Sequence, residues 1–116
     1  MRADSQLGLY MPEVHLFHSE RKFKRFVKRL TGKKAKTFGT EGQMCYYCGI
    51  VAVLMTHEGQ ANTEVSLLVH EAYHAAVAHM RWLNEGDAGE ETMAYLVQSI
   101  SDGLFCAHGK WKRKHG

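Results

Sequence analysis

Proline occurs once and cysteine three times, and no apolar run is long enough to cross a bilayer. The near-absence of proline excludes an extended linker or tail and leaves an ordinary globular composition. An odd number of cysteines makes no disulfide framework, so a reducing, cytoplasmic setting is expected. The longest clean apolar run on the strand side, Ile50 to Met55, falls far short of the roughly 18 residues a membrane span needs. Near the N-terminus, Arg2, Asp4, Pro12 and Glu13 break up the apolar residues, which argues against a signal peptide. A length of 116 residues suits one domain with one core, 1–116, with a loose lead-in over 1–12 and a basic tail over 109–116.

Basic residues are almost missing from the middle of the chain. Residues 37–109 hold Arg81 against nine acids, whereas residues 1–36 carry ten Lys/Arg against three acids. The last seven residues add four more basics. The net +3 therefore hides a basic arm and tail on an acidic centre. Such an arrangement can attract nucleic acid or an acidic protein through 21–36 and 110–114. The plainer reading, and the expected one, is a solvated helix face.

Hydrophobic periodicity divides the chain. Glu13 to Phe17 alternates as a short strand, and Ser19 stands where an N-cap belongs. Phe23, Phe26, Val27 and Leu30 recur at helical spacing through 21–30, and Gly32 ends that helix. Met44–Cys48 and Ile50–Met55 are rich in strand formers around Gly49, as a hairpin or as one strand with a bulge. Asn62 or Thr63 caps a long helix whose pattern runs to about Arg81–Asn84, although a following helix that returns beside His74 requires it to end or bend earlier, near His79–Arg81. A second helix begins at Glu90 and ends near Phe105. The order β-α-β-β-α-α makes the fold α+β, with a small antiparallel sheet packed on the long helix and the one that follows.

The long helix contains His70-Glu71-Ala72-Tyr73-His74, an H-E-x-x-H pattern. On a helix, residues four apart lie about 40° apart around the axis, so the two rings can aim at one point, as zinc requires. Glu71 sits about 100° round from His70, too far to join the pair as a ligand but well placed to take a proton from an activated water. With eight His and nine Glu, the pattern arises in about 4% of shuffled chains, so its surroundings must carry the argument. Val69, Ala72, Tyr73, Ala76 and Val77 make the helix apolar nearly all round, which predicts burial. Two buried imidazoles and a carboxylate cost several kcal/mol unless they are paired or bind metal. A Zn²⁺ site is the expectation, against a core helix with two hydrogen-bonded histidines. His79 lies about 180° round the helix from His70 and points away from such a site. A third ligand must come from elsewhere, and the first turn of the next helix offers Glu90 and Glu91.

His70-Glu71-Ala72-Tyr73-His74 followed by Glu91-Thr92-Met93-Ala94-Tyr95 resembles the gluzincin zinc metallopeptidases, H-E-x-x-H then E-x-x-A-x on the next helix. The element order over residues 13–105 is similar to that of small phage and bacterial zinc-peptidase-like proteins with a minimal zincin-like domain. The resemblance implies a hydrolase acting on a peptide or protein substrate. His70, His74 and Glu91 would be the Zn²⁺ ligands and Glu71 the general base. Where many gluzincins carry an Asp four residues after the ligand Glu, this chain has Tyr95, a second catalytic candidate on one face with Gln98 and Asp102.

Two other readings use the same residues. Cys45 and Cys48 with His70 and His74 spell a Cys₂His₂ set, the mark of a structural zinc module that binds nucleic acid, although the gap between the pairs is longer than the usual one of about 12 residues. Alternatively, a non-catalytic inhibitor or binding protein could keep the metallopeptidase scaffold for its shape. On the peptidase reading, Cys45 and Cys48 are reduced, inert strand residues and Cys106 a small buried hydrophobe.

Overall fold

Glu13–Phe17 forms strand β1, and its alternation decides what lies on each side of it. Val14 and Leu16 face one core, while Phe17 faces another. The computed structural model describes residues 11–36, 42–56, 61–83 and 89–115. The lead-in over 1–10 lies outside them, as do most of the loop after residue 56 and the reversal before Gly89. Helix α1 follows over Glu20–Thr31, strand β2 over Gly42–Tyr47, β3 over Ile50–Met55, helix α2 over Ala61–Trp82 and α3 over Glu90–His115. The expected order β-α-β-β-α-α is the observed one.

Local chemistry sets the early boundaries. Ser19 Oγ accepts from the Lys22 amide at 3.3 Å, and Glu20 favours the positive end of α1. Gly32 closes the helix at φ 76, donating to the Lys28 carbonyl at 2.8 Å in a left-handed conformation that only glycine adopts freely. Cys48 and Gly49, at φ 46 and 84, make a two-residue hairpin turn between β2 and β3, which settles hairpin against bulge.

The sheet is mixed, a correction to the antiparallel sheet expected from sequence. Its order is β1-β3-β2, with β3 parallel to β1 and antiparallel to β2. Alternation identifies strands but not their partners. Here α1 carries the chain across one face, and the hairpin then inserts β3 beside β1. The central strand explains its own composition: Val51, Val53 and Met55 face α2 and α3, whereas Ala52 and Leu54 face α1. A strand buried on both faces reads as a continuous apolar run. The result is three layers, with α1 on one side of the sheet and α2 with α3 on the other.

α2 begins at Ala61, a correction to the expected cap at Asn62 or Thr63, and continues to Trp82, within the end its pattern gives and past the earlier end near His79–Arg81; α3 runs ten residues beyond Phe105 to His115. The tail is therefore helical. Its last turns are held by His108 Nε2 and Lys112 Nζ, each 3.0 Å from Glu64 Oε2 near the start of α2. Among the described residues, no helix is long and apolar enough to cross a membrane.

Candidate functional site

Helix α2 buries one face and exposes another, so the expectation of a helix buried all round is corrected. Leu68, Ala72, Ala75, Ala76 and Met80 pack in the core, whereas Val65, Val69 and Tyr73 are exposed, Tyr73 at 52%. Residues four apart share a face, so His70 and His74 go with the exposed side. Glu71 turns inward and is only 7% exposed. The carboxylate is thus the buried member of the motif and the imidazoles are the accessible ones.

The rings converge. Nε2 of His70 and Nε2 of His74 stand 3.1 Å apart, with the ring planes 77° to one another. Two ring nitrogens on a tetrahedral zinc at about 2.0–2.1 Å would lie roughly 3.3 Å apart, so the pair suits the ion as well as it suits a single N–H···N bond. Burial pushes the Glu71 carboxyl above its ordinary value, opposed by the positive potential of His70 and His74. β2 begins directly over it: a methyl group at Gly42 would stand 3.7 Å from Glu71 Cγ. The outermost strand of the sheet therefore starts beside the H-E-x-x-H turn.

The third ligand is not brought in. Glu90 and Glu91 are both exposed on the first turn of α3. Among the described residues, no three His, Cys, Asp or Glu side chains gather closely enough to hold a metal. The reason lies in helix length. α2 and α3 run antiparallel, with Glu64 level with His108. Counting from that tie at 1.5 Å per residue, Glu91 is level with roughly residue 81, about 10 Å along the axis beyond His74. An α2 ending one or two turns earlier would have brought them closer. Tyr95 is also exposed, at 43%, as are Gln98 and Asp102 on the same side of α3.

The cysteines take no part in a Cys₂His₂ set. Cys45 packs with Phe23, Val27 and Leu54 on the α1 side of the sheet, and α2 lies across the other face. Cys48 sits exposed in the hairpin turn. Alternation along β2 separates Cys45 from the histidines, a constraint that spacing alone does not reveal. Cys106 is exposed rather than buried, a second correction. As expected, His79 points the other way: it is buried, and its Nδ1 shares a 2.6 Å hydrogen bond with the Tyr46 hydroxyl.

A second constellation went unread in the sequence. His108 Nε2 donates to Glu64 at 3.0 Å, since a carboxylate only accepts. Its other ring nitrogen, Nδ1, shares a 2.8 Å hydrogen bond with Nε2 of His18. Trp111 stacks on His18 at 3.9 Å and 9°, and His115 stacks on Trp111. His18 is lowered to about 4, first by burial and then by His108 and His115, with Glu64 opposing. Glu64 is lowered by its bonds from His108 and Lys112. His18, Glu64 and the His108/Trp111 pair are far apart in the chain. The available signal was the histidine and tryptophan spaced three apart just beyond the expected end of α3.

Comparison with family models, curated proteins and solved structures found no match.

Proposed function

We propose that the chain is a minimal zinc-dependent peptidase of gluzincin-like design, with His70 and His74 as two ligands, Glu91 as the third and Glu71 as general base. The observation that carries this reading is the convergence of two accessible Nε2 atoms at 3.1 Å, one residue from a buried carboxylate. Zn²⁺ held there would polarise a substrate carbonyl and lower the pKa of water toward about 7. Glu71, held under the first residue of β2, would take the proton of the attacking water and pass it to the leaving amine. An extended peptide adding to the edge strand β2 would bring its backbone to the same turn. Tyr95 would act on the substrate only if α3's first turns close over the site.

Zinc content and cleavage test this directly. Purified protein should bind about one zinc per chain by mass spectrometry of the metal, and His70→Ala or His74→Ala should abolish it. Cys45→Ser with Cys48→Ser should leave the metal in place. Glu71→Gln should keep zinc while cleavage of a peptide library falls by about 10²–10⁴-fold. Parent-like cleavage by Glu71→Gln removes the carboxylate from the mechanism. The absence of a third gathered donor among the described residues favours a second reading, a non-catalytic binding protein on this scaffold. Zinc binding without cleavage of any library member would select it.

A further inference from the structure

The basic arm, expected to be a solvated face, lines a groove. Arg21, Lys24, Arg25 and Lys28 recur along the side of α1 opposite its buried Phe23 and Val27. With Lys34 they line a cavity of about 410 Å³ whose lining has no acidic side chain among the described residues. A second cavity, of about 430 Å³, adjoins it through Lys34 and Ala35. Lys33, Lys34 and Lys36 line it, together with Val27, Cys45 and the exposed Tyr47. The lysine segment is anchored rather than loose. Gln43 donates to the Lys36 carbonyl at 2.6 Å, and the Lys33 amide donates to Thr31 Oγ1 at 3.1 Å.

Lys24 is paired with Glu20 at 3.0 Å. Arg21, Arg25 and Lys28 lie on the same face, and Lys34 lies across the groove.

The geometry points to a binding site for single-stranded nucleic acid, independent of the zinc site. Phosphates would lie along α1 and residues 33–36, and an unpaired base would rest on Tyr47 beside the apolar lining. A cationic track beside an aromatic platform is what an unpaired strand requires. A duplex keeps its base faces stacked away, and an acidic peptide leaves the apolar lining unused.

The test is fluorescence anisotropy of a fluorescein-labelled twelve-residue oligothymidylate with the full chain at 50 mM NaCl. Saturable binding is expected, with a log–log salt slope of about −3, as four or five neutralised phosphates give at roughly −0.7 each. Arg25→Glu should weaken binding at least tenfold. Arg81→Glu, the same change in net charge at the far end of α2, should change it less than twofold. Tyr47→Ala should weaken it about fivefold with the slope unchanged, and Tyr47→Phe should match the parent. Circular dichroism on each variant establishes that the fold is kept. Equal losses from Arg25→Glu and Arg81→Glu would overturn the site, as would tighter binding of the duplex or of a glutamate-rich peptide of the same length.

Discussion

Glu64 accepts from an imidazole and an ammonium at once. It is buried, His108 and Lys112 both reach its Oε2, and His108 passes the contact on to His18. The pH dependence follows by sign. His18 titrates at about 4 in the fold against an ordinary 6.5, so below pH 6.5 the unfolded chain binds the proton first and stability falls until pH 4. Glu64 is depressed, so its contribution holds above the ordinary carboxylate value and is lost as pH falls through its lower folded one. Glu71, raised by burial, opposes this decline, and Cys45, likewise raised, lowers stability only in alkali, so the melting temperature should be flat between about pH 7 and 8 and decline from pH 6.5 downward. His18→Phe keeps an aromatic ring against Trp111 but removes the titration, so its decline between pH 6.5 and 4 should be shallower. Parallel curves for parent and variant would separate His18 from the effect. None of this network was legible, because contacts between residues 18, 64 and 108 belong to the packing of three elements. The H-E-x-x-H motif was legible, as was the burial of Glu71, but Val69, Tyr73 and both imidazoles, expected inside, are exposed.

Among the elements, the strands and the caps of α1 were the most readable, whereas α2 begins at Ala61, ahead of its expected cap at Asn62 or Thr63. β1 and β3 fall on their expected residues because period-two alternation or a continuous apolar run is bounded by Ser19, Gly49 and Thr56. The end of α3 was not readable, because Gly103 and Gly109 lower helix propensity there and tertiary ties override them. Those ties are the Glu64 contacts and the Trp111 stack. Trp111→Ala should therefore cost about 2 kcal/mol, combining lost stacking with lost apolar burial. Helical ellipticity at 222 nm should fall as the last turns fray. Lys114→Ala, at an exposed position in the same turns, should change neither. An unchanged denaturant midpoint for Trp111→Ala would mean that the helix end stands without His18.

On the scale of the whole molecule, α2 and α3 are fastened at one end and must act together at the other if a metal is to bridge them. Leu96, Ile100 and Leu104 set α3 into the core, and Glu64 holds its far end. Glu91 stands on the opposite, first turn, exposed and about 10 Å along the axis from His74 by the helix rise. The three-ligand site therefore demands that zinc draw this turn toward α2, which gives metal binding a signature beyond affinity. A ligand that binds only the native state raises stability by RT ln(1 + [L]/Kd), about 2.7 kcal/mol at a hundredfold excess over Kd. In a chelator, parent, Glu90→Ala and Glu91→Ala should melt together, since both side chains are exposed. With zinc added, the parent and Glu90→Ala should rise in melting temperature and Glu91→Ala should rise much less. Amide exchange over residues 89–95 should slow with zinc in the parent alone among the parent and Glu91→Ala. If the two rise equally, Glu91 is not a ligand and the site is the two-histidine pair. If Glu90→Ala loses the rise instead, the ligand is the neighbouring carboxylate.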